Sequence, residues 1–252
     1  MSNLNYRLST VSFALGVLVL AATVSTDVQA QTPQVDPAAT RTLKRMTDYL
    51  GGLQKFSVHT KNTLEDELES GHRIDLDVSA SVLVSRPNEL FAERKGDLID
   101  QMFYYNGKTL TLYNPSDKVY ATESAPGTIE ETLDFARESL GLVVPVADLV
   151  YRNAFPLLMQ DVNLAVVVGK AVIGGVKCDH LLFSRPGVDF QVWVADSGNP
   201  LPYKYVVTDT GTPARLSIST VMSDWNVTPA ATDSRFTFVP PPGTKQISFL
   251  PL

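Results

Sequence analysis

Cysteine is nearly absent: Cys178 is the only one in 252 residues. A lone thiol excludes an internal disulfide framework, and with it the small stapled folds of many exported proteins. It also excludes lipid attachment at the start of a mature chain, which needs a cysteine directly after the cleavage site. Histidine is scarce as well, with His59, His72 and His180 only. No block of like charge occurs; the net charge of −6 is spread over interspersed acids and bases, which argues against nucleic acid or an anionic lipid surface as partner. Nucleophile elbows, zinc-protease helices, phosphate loops and dinucleotide fingerprints are missing too. Beyond the first thirty residues no apolar run approaches the ~20 residues of a membrane-spanning helix.

What is present begins with a leader. Met1 to Arg7 is polar, Leu8 to Val24 is largely apolar, and Val28-Gln29-Ala30 places small side chains where a signal peptidase takes them. The expectation is cleavage after Ala30, a periplasmic location, and one domain over residues 31–252, expected as a monomer. The apolar segment Val11 to Ala22 is too short for a comfortable membrane anchor.

Asp36-Pro37 then opens a helix with Asp as N-cap and Pro in the first turn. Its stripe is Ala39, Leu43, Met46 and Leu50, and it ends at Gly51-Gly52. From Phe56 the apolar period changes from 3.6 to 2. A long strand carries Ile74, Leu76, Val78, Ala80, Val82 and Val84 on one face, and Pro87 stops it. Short strands follow from Leu90 to Glu123, with a hairpin at Asn106-Gly107. A helical insert over residues 128–160 interrupts them, opening on the capping-box pair Thr128 and Glu131. Strands resume from Leu164 to Asn226, and Phe236 to Val239 is expected as a last one. The fold class is α+β: a strongly curved, incomplete antiparallel barrel of about ten or eleven strands, with an N-terminal helix and a helical lid.

Catalytic chemistry finds few carriers. Cys178 and His180 share one face of a strand and could supply two metal ligands, but a structural zinc takes four and a catalytic one three. Cys178 reads better as a small buried apolar side chain. His59 and His72 fall on wet positions, and Asp75/Asp77 and Glu65/Glu67 on a solvated strand face. Asn226-Val227-Thr228 matches a glycosylation pattern of low specificity. No catalytic residue, metal or cofactor is assigned, and the reading is non-enzymatic. The apolar strand face supplies the candidate cavity lining: Leu76, Val78, Val82, Phe103, Leu110, Leu112, Leu216 and Ile218. The same residues would point inward if the barrel were filled by its own side chains.

Three segments stand out: Ser85-Arg86-Pro87-Asn88-Glu89-Leu90-Phe91, the stretch Asn106-Gly107-Lys108-Thr109-Leu110-Thr111-Leu112-Tyr113-Asn114-Pro115, and Phe236-Thr237-Phe238-Val239-Pro240-Pro241-Pro242-Gly243. In this order they resemble the periplasmic carrier of the Lol pathway, which ferries lipoproteins to the outer membrane. The chain from Asp36-Pro37 through Gly141-Leu142, Ala147-Asp148-Leu149, Leu201-Pro202 and Trp225 is also similar to an uncharacterised family of predicted periplasmic proteins, a domain of unknown function. The resemblance implies a lidded hydrophobic cavity for a lipid, an acyl chain or a lipidated protein, with Arg86 as the latch that holds the lid. Thr111 stands where the carrier has a Trp. The alternative function is an envelope interaction or stress-sensor module that binds a protein partner.

Overall fold

The change of apolar period at Gly51-Gly52 divides a helix from a sheet, and the turn residues that follow keep successive strands side by side. The computed structural model describes residues 34–142 and 146–249; the expected leader lies outside them, as does Pro145. The elements are α1 (Pro37–Gly52), β1 (Lys55–Glu67), β2 (Arg73–Ser85), β3 (Glu89–Gly96), β4 (Asp100–Tyr105), β5 (Thr109–Asn114) and β6 (Val119–Ser124). Then come α2 (Ile129–Leu140), a single 3-10 turn at Ala147–Leu149, and α3 (Ala154–Met159). The second half holds β7 (Leu164–Ile173), β8 (Val176–Arg185), β9 (Val188–Ala195), β10 (Pro202–Asp209), β11 (Ser217–Asn226) and β12 (Lys245–Gln246).

All twelve strands form one sheet in the order β12-β6-β5-β4-β3-β2-β1-β11-β10-β9-β8-β7. Two meanders, β1–β6 and β7–β11, are joined where β1 pairs antiparallel with β11. The sheet is curved and does not close: β7 and β12 end it. Register shifts in the β1–β11, β7–β8 and β9–β10 pairs bend and twist the strands locally, as bulges do. Asp224, with φ 53°, sits in the first of these.

The caps form as the sequence dictates. Asp36 accepts the Ala38 N–H at 2.7 Å, Thr128 accepts the Glu131 N–H at 3.3 Å and donates to its carboxylate at 2.7 Å, and Gly141 closes α2 in the left-handed region at φ 63°. These contacts satisfy helix-end groups that would otherwise go unpaired.

One expected strand is not formed. Phe236 to Val239 carries no sheet pairing; a 3-10 turn at Asp233–Arg235 precedes it, and the last strand is the two-residue β12, parallel to β6. The reason lies in where its aromatics go. Phe236 is buried against Leu83 and Phe91, and Phe238 lies 5.0–5.3 Å from the rings of Tyr104, Tyr113 and Tyr120. The segment crosses the convex face of the sheet by side-chain contact, where no ladder partner exists. Within the expected helical insert, the part after Pro145, Val146 to Arg152, reads as a short helix in the sequence but forms only the 3-10 turn Ala147–Leu149.

The concave face carries two apolar clusters. One packs α1 and α3 on β7–β11 through Leu43, Met46, Leu158, Phe183 and Val192. The other packs α2 on β1–β5 through Phe56, Leu90, Phe103, Leu110 and Leu133. Leu53, Val82, Tyr151 and Trp225 touch both and form the seam.

Candidate functional site

Strand β2 ends at the seam, and the residue after it is Arg86. Pro87 has no N–H and stops the ladder, so the chain turns there. The Arg86 guanidinium is directed under the helical cover, with 1% of its side chain exposed. It donates to the Leu53 carbonyl after α1 at 3.1 Å, to the Glu130 carboxylate in α2 at 3.2 Å, and to the Val150 carbonyl after the 3-10 turn at 2.5 Å. Glu130 accepts the Arg152 N–H at 2.8 Å with the same oxygen. One buried cation therefore ties three separate pieces of cover to the end of one strand. Burial pulls this guanidinium below its ordinary value, and Glu130 acts in the opposite direction. A planar fork with several donors suits such a junction in a way an ammonium does not.

Beneath the cover the packing is incomplete. A void of about 60 Å³ lies at the seam, lined by Val82, Leu90, Ala92, Leu133, Leu149, Met222 and Trp225 among others. A second, of about 30 Å³, shares Leu90, Ala92 and Leu133 with it and extends to Arg94, Gln101, Phe103 and Leu112. Pockets that hold drug-sized ligands are ~300–1,000 Å³. In this arrangement the interior is close to a filled core, and a guest of ligand size needs the cover to move.

The expected lining residues divide along the strands. Val82 lines the first void, and Phe103 and Leu112 the second. Leu110 is fully buried in the α2 cluster. Val78 is buried in the row Val78–Asn62–Thr220. In that row the Asn62 amide donates to Thr60 and to the Val78 carbonyl, both at 3.0 Å, and accepts from Thr220 at 2.8 Å. Leu76 and Ile218 lie two residues further along, opposite Leu64, and are half-buried. Leu216 precedes β11 and is also half-buried. The polar row therefore separates Leu76 and Ile218 from the voids. Leu133, Ala92, Met222 and Trp225 were not singled out from the sequence. Two signals could have found some of them: the stripe Ile129, Leu133, Ala136, Leu140 on α2, and the alternation Leu90, Ala92, Arg94 on β3.

Cys178 and His180 share a face, as strand geometry requires, but it is the convex one, opposite the inward-packed Leu181 and Phe183. His180 stacks on Trp193 at 4.0 Å and its Nε2 meets Gln191 at 2.8 Å. The Cys178 thiol is buried, donates to the Val176 carbonyl at 3.5 Å, and is pushed above its ordinary pKa by that burial. A raised thiol pKa is the opposite of what a nucleophile needs. Among the described residues no group of His, Cys, Asp and Glu could hold a metal ion. No described helix is long and apolar enough to cross a membrane.

Among solved structures, an uncharacterised conserved protein from Thermus thermophilus aligns over 84% of this chain and 99% of its own, with 10% identity and a TM-score of 0.49. LprF from Mycobacterium bovis aligns over 79% and 97%, with 14% identity and a TM-score of 0.49. A LolA superfamily protein from Nitrosomonas europaea aligns over 79% and 97%, with 14% identity and a TM-score of 0.37. No curated protein matches the sequence. Residues 39–250 match the family model described as predicted periplasmic protein (DUF2092), from the first turn of α1 to the C-terminal end of the described chain, and the protein belongs to that family.

Proposed function

We propose that this protein is a periplasmic, non-enzymatic binding protein that holds the acyl chain of a lipid or lipidated protein between its concave sheet and its helical cover. Signal-peptide removal after Ala30 releases the working domain. The observation that carries the reading is the Arg86 junction. A cover fastened over an apolar face by a few exchangeable polar contacts can lift as a unit, and each methylene that then leaves water contributes ~0.8 kcal/mol. Arg86 acts as the latch, and Val82, Phe103 and Leu112 contact the ligand.

Native mass spectrometry with lipid extraction, on protein recovered from the periplasm, tests this. The expected result is bound lipid at near-stoichiometric level. A lipid-free protein that also fails to take up a fluorescent fatty acid would overturn it.

A second reading, a module that binds a protein partner, is favoured by one feature. Among the described residues, the outer edge of β7 is paired only at its start, where Val35 bridges Ala165, and Val168 and Val172 beyond it are more than half exposed. An extended partner segment could add to such an edge. Cross-linking from β7 in the periplasm, with a single protein partner and no lipid recovered, would establish this reading over the first.

A further inference from the structure

The convex face carries an opening of its own. After β11 the chain crosses this face from Asn226 toward Phe236, which is buried against Leu83 and Phe91. Between the crossing segment and the sheet lies a groove of about 410 Å³, within the ~300–1,000 Å³ of ligand pockets. Strand register supplies its floor. Asn226, Ser57, Leu83 and Phe91 stand in one outward row across β11, β1, β2 and β3, and His59 and Ser81 pair in the next row. The crossing segment contributes Pro229 and Ala230.

The two ends of this groove carry opposite charge. At the β3 end, Arg235 lays its guanidinium over the Phe91 ring, 5.3 Å from the centroid. A guanidinium stacked by its face keeps its in-plane N–H groups directed sideways, where two of them can meet a carboxylate in parallel. At the β11 end, Asp224 sits in the bulge with φ 53°, and one of its carboxylate oxygens accepts from the Ser223 hydroxyl at 3.0 Å. Among the described residues neither Arg235 nor Asp224 takes part in an ion pair. Neutral polar groups lie between them. Asn226 uses its amide oxygen on the Thr228 N–H at 2.9 Å, which leaves its two amide donors. His59 meets the Ser81 hydroxyl through Nδ1 at 3.3 Å, which leaves Nε2. Three strand spacings from β3 to β11 make ~14 Å, a span that an extended peptide covers in about four residues at ~3.4 Å each.

We propose that this groove binds a short peptide with free termini, about four residues long. Its C-terminal carboxylate pairs with Arg235 and its N-terminal ammonium with Asp224. The peptide groups between them cross the row of Ser57 and Leu83 and exchange hydrogen bonds with Ser57, His59 and Asn226. A fatty acid has a charge for Arg235 only, and a polyamine for Asp224 only; a peptide of this length serves both ends. The groove lies on the opposite face of the sheet from the voids under the helical cover, so peptide binding here is independent of the acyl-chain reading.

Tetraalanine with free termini, its N-acetyl form, its C-terminal amide, and dialanine are the probes, titrated into the purified protein by calorimetry. Free tetraalanine is expected to bind about fivefold more tightly than either blocked form, the effect of one exposed ion pair, and more tightly than dialanine, which cannot span the groove. Asp224→Asn should erase the N-acetyl difference alone, and asparagine tolerates the positive φ there. Arg235→Gln should erase the amide difference alone. Backbone amide shifts of the labelled protein should move at residues 57, 59, 81 and 226. Equal affinity for free and blocked tetraalanine, no binding of free tetraalanine at millimolar concentration, or shifts confined to other strands would overturn the site. Exchanged roles of Asp224 and Arg235, or terminal preferences that survive both substitutions, would overturn the assignment of the two ends. If either variant does not fold, the blocked peptides, dialanine and the shifts on the native chain decide.

Discussion

The two covers of the concave face are fastened in different ways. α1 is tied to the sheet by backbone: Asp36 donates to the Ala165 carbonyl at 2.8 Å, and Ala165 donates to that of Gln34 at 2.9 Å. Its stripe, Ala39, Leu43, Met46 and Leu50, is buried to 1% exposure or less. α2 has one backbone tie, from the Ile129 N–H to the Pro87 carbonyl at 3.0 Å, and is otherwise held by side chains: Arg86 to Glu130, Tyr105 and Thr132 to the Pro126 carbonyl, and Tyr151 to Asp134 at 2.7 Å. Its central Leu133 borders both enclosed voids. Backbone ladders and dense packing make a core; side-chain contacts over voids make a part that can open, because each lost contact costs little and water can replace it.

Truncation measures this contrast most directly. Leu43→Ala should cost about 3–5 kcal/mol, the range for a fully packed leucine, and Leu133→Ala about 1–2 kcal/mol less, because part of its surroundings is already void. Urea unfolding of the two variants checks the order, and equal losses would mean that the α2 side is packed as tightly as the α1 side.

Arg86→Leu leaves the Leu53 and Val150 carbonyls without their side-chain donor and Glu130 without its cation. The expected loss is about 2–3 kcal/mol, a drop of roughly 5–10 °C in Tm for a domain of this size. Hydrogen exchange should rise in α2 and residues 147–160 while α1 stays protected. Uniform acceleration over both helices would show that the covers open together.

The smallest effect concerns Asp148, in the 3-10 turn of the cover. Burial raises its carboxyl above the ordinary range, with Arg137 and Arg185 opposing. A folded pKa above the unfolded one means that the fold holds the proton more tightly, so stability is lost as pH rises from the unfolded value through the folded one. At pH 7 the charge is therefore a cost, and Asp148→Asn should raise Tm by about 1–2 °C. At a pH near 3, below the ordinary carboxylate value of ~3.9, wild type and variant should melt together; a gain that persists there would place its cause elsewhere than in the charge.

Much of the fold was legible in the chain. Period-2 alternation located eleven strands, and the Asp36-Pro37 and Thr128-Glu131 signals located two helices, since caps and periodicity are local properties of backbone and side chain. The Phe236 segment was misread because its alternating aromatics look the same whether they pair in a ladder or dock on a sheet face. The site was less legible. Seven of the eight candidate lining residues share the inward face of the strands, yet Val82, Phe103 and Leu112 border the voids while Leu76 and Ile218 lie beyond the Asn62 row. Alternation reports which face a side chain takes, not how far along the face the cover reaches.

By itself the sequence determined that a lone cysteine leaves stability to an apolar core, that a strand-rich chain with one apolar face curls around it, and that a helical insert interrupts the meander. Only the tertiary structure decided that Arg86 reaches Leu53, Glu130 and Val150, which are 33, 44 and 64 residues away in sequence. It also decided that Cys178 and His180 face outward, opposite the inward-packed Leu181 and Phe183. Those relations depend on strand register and helix docking, which are set by packing between segments distant in the chain and have no periodic signature within any one of them.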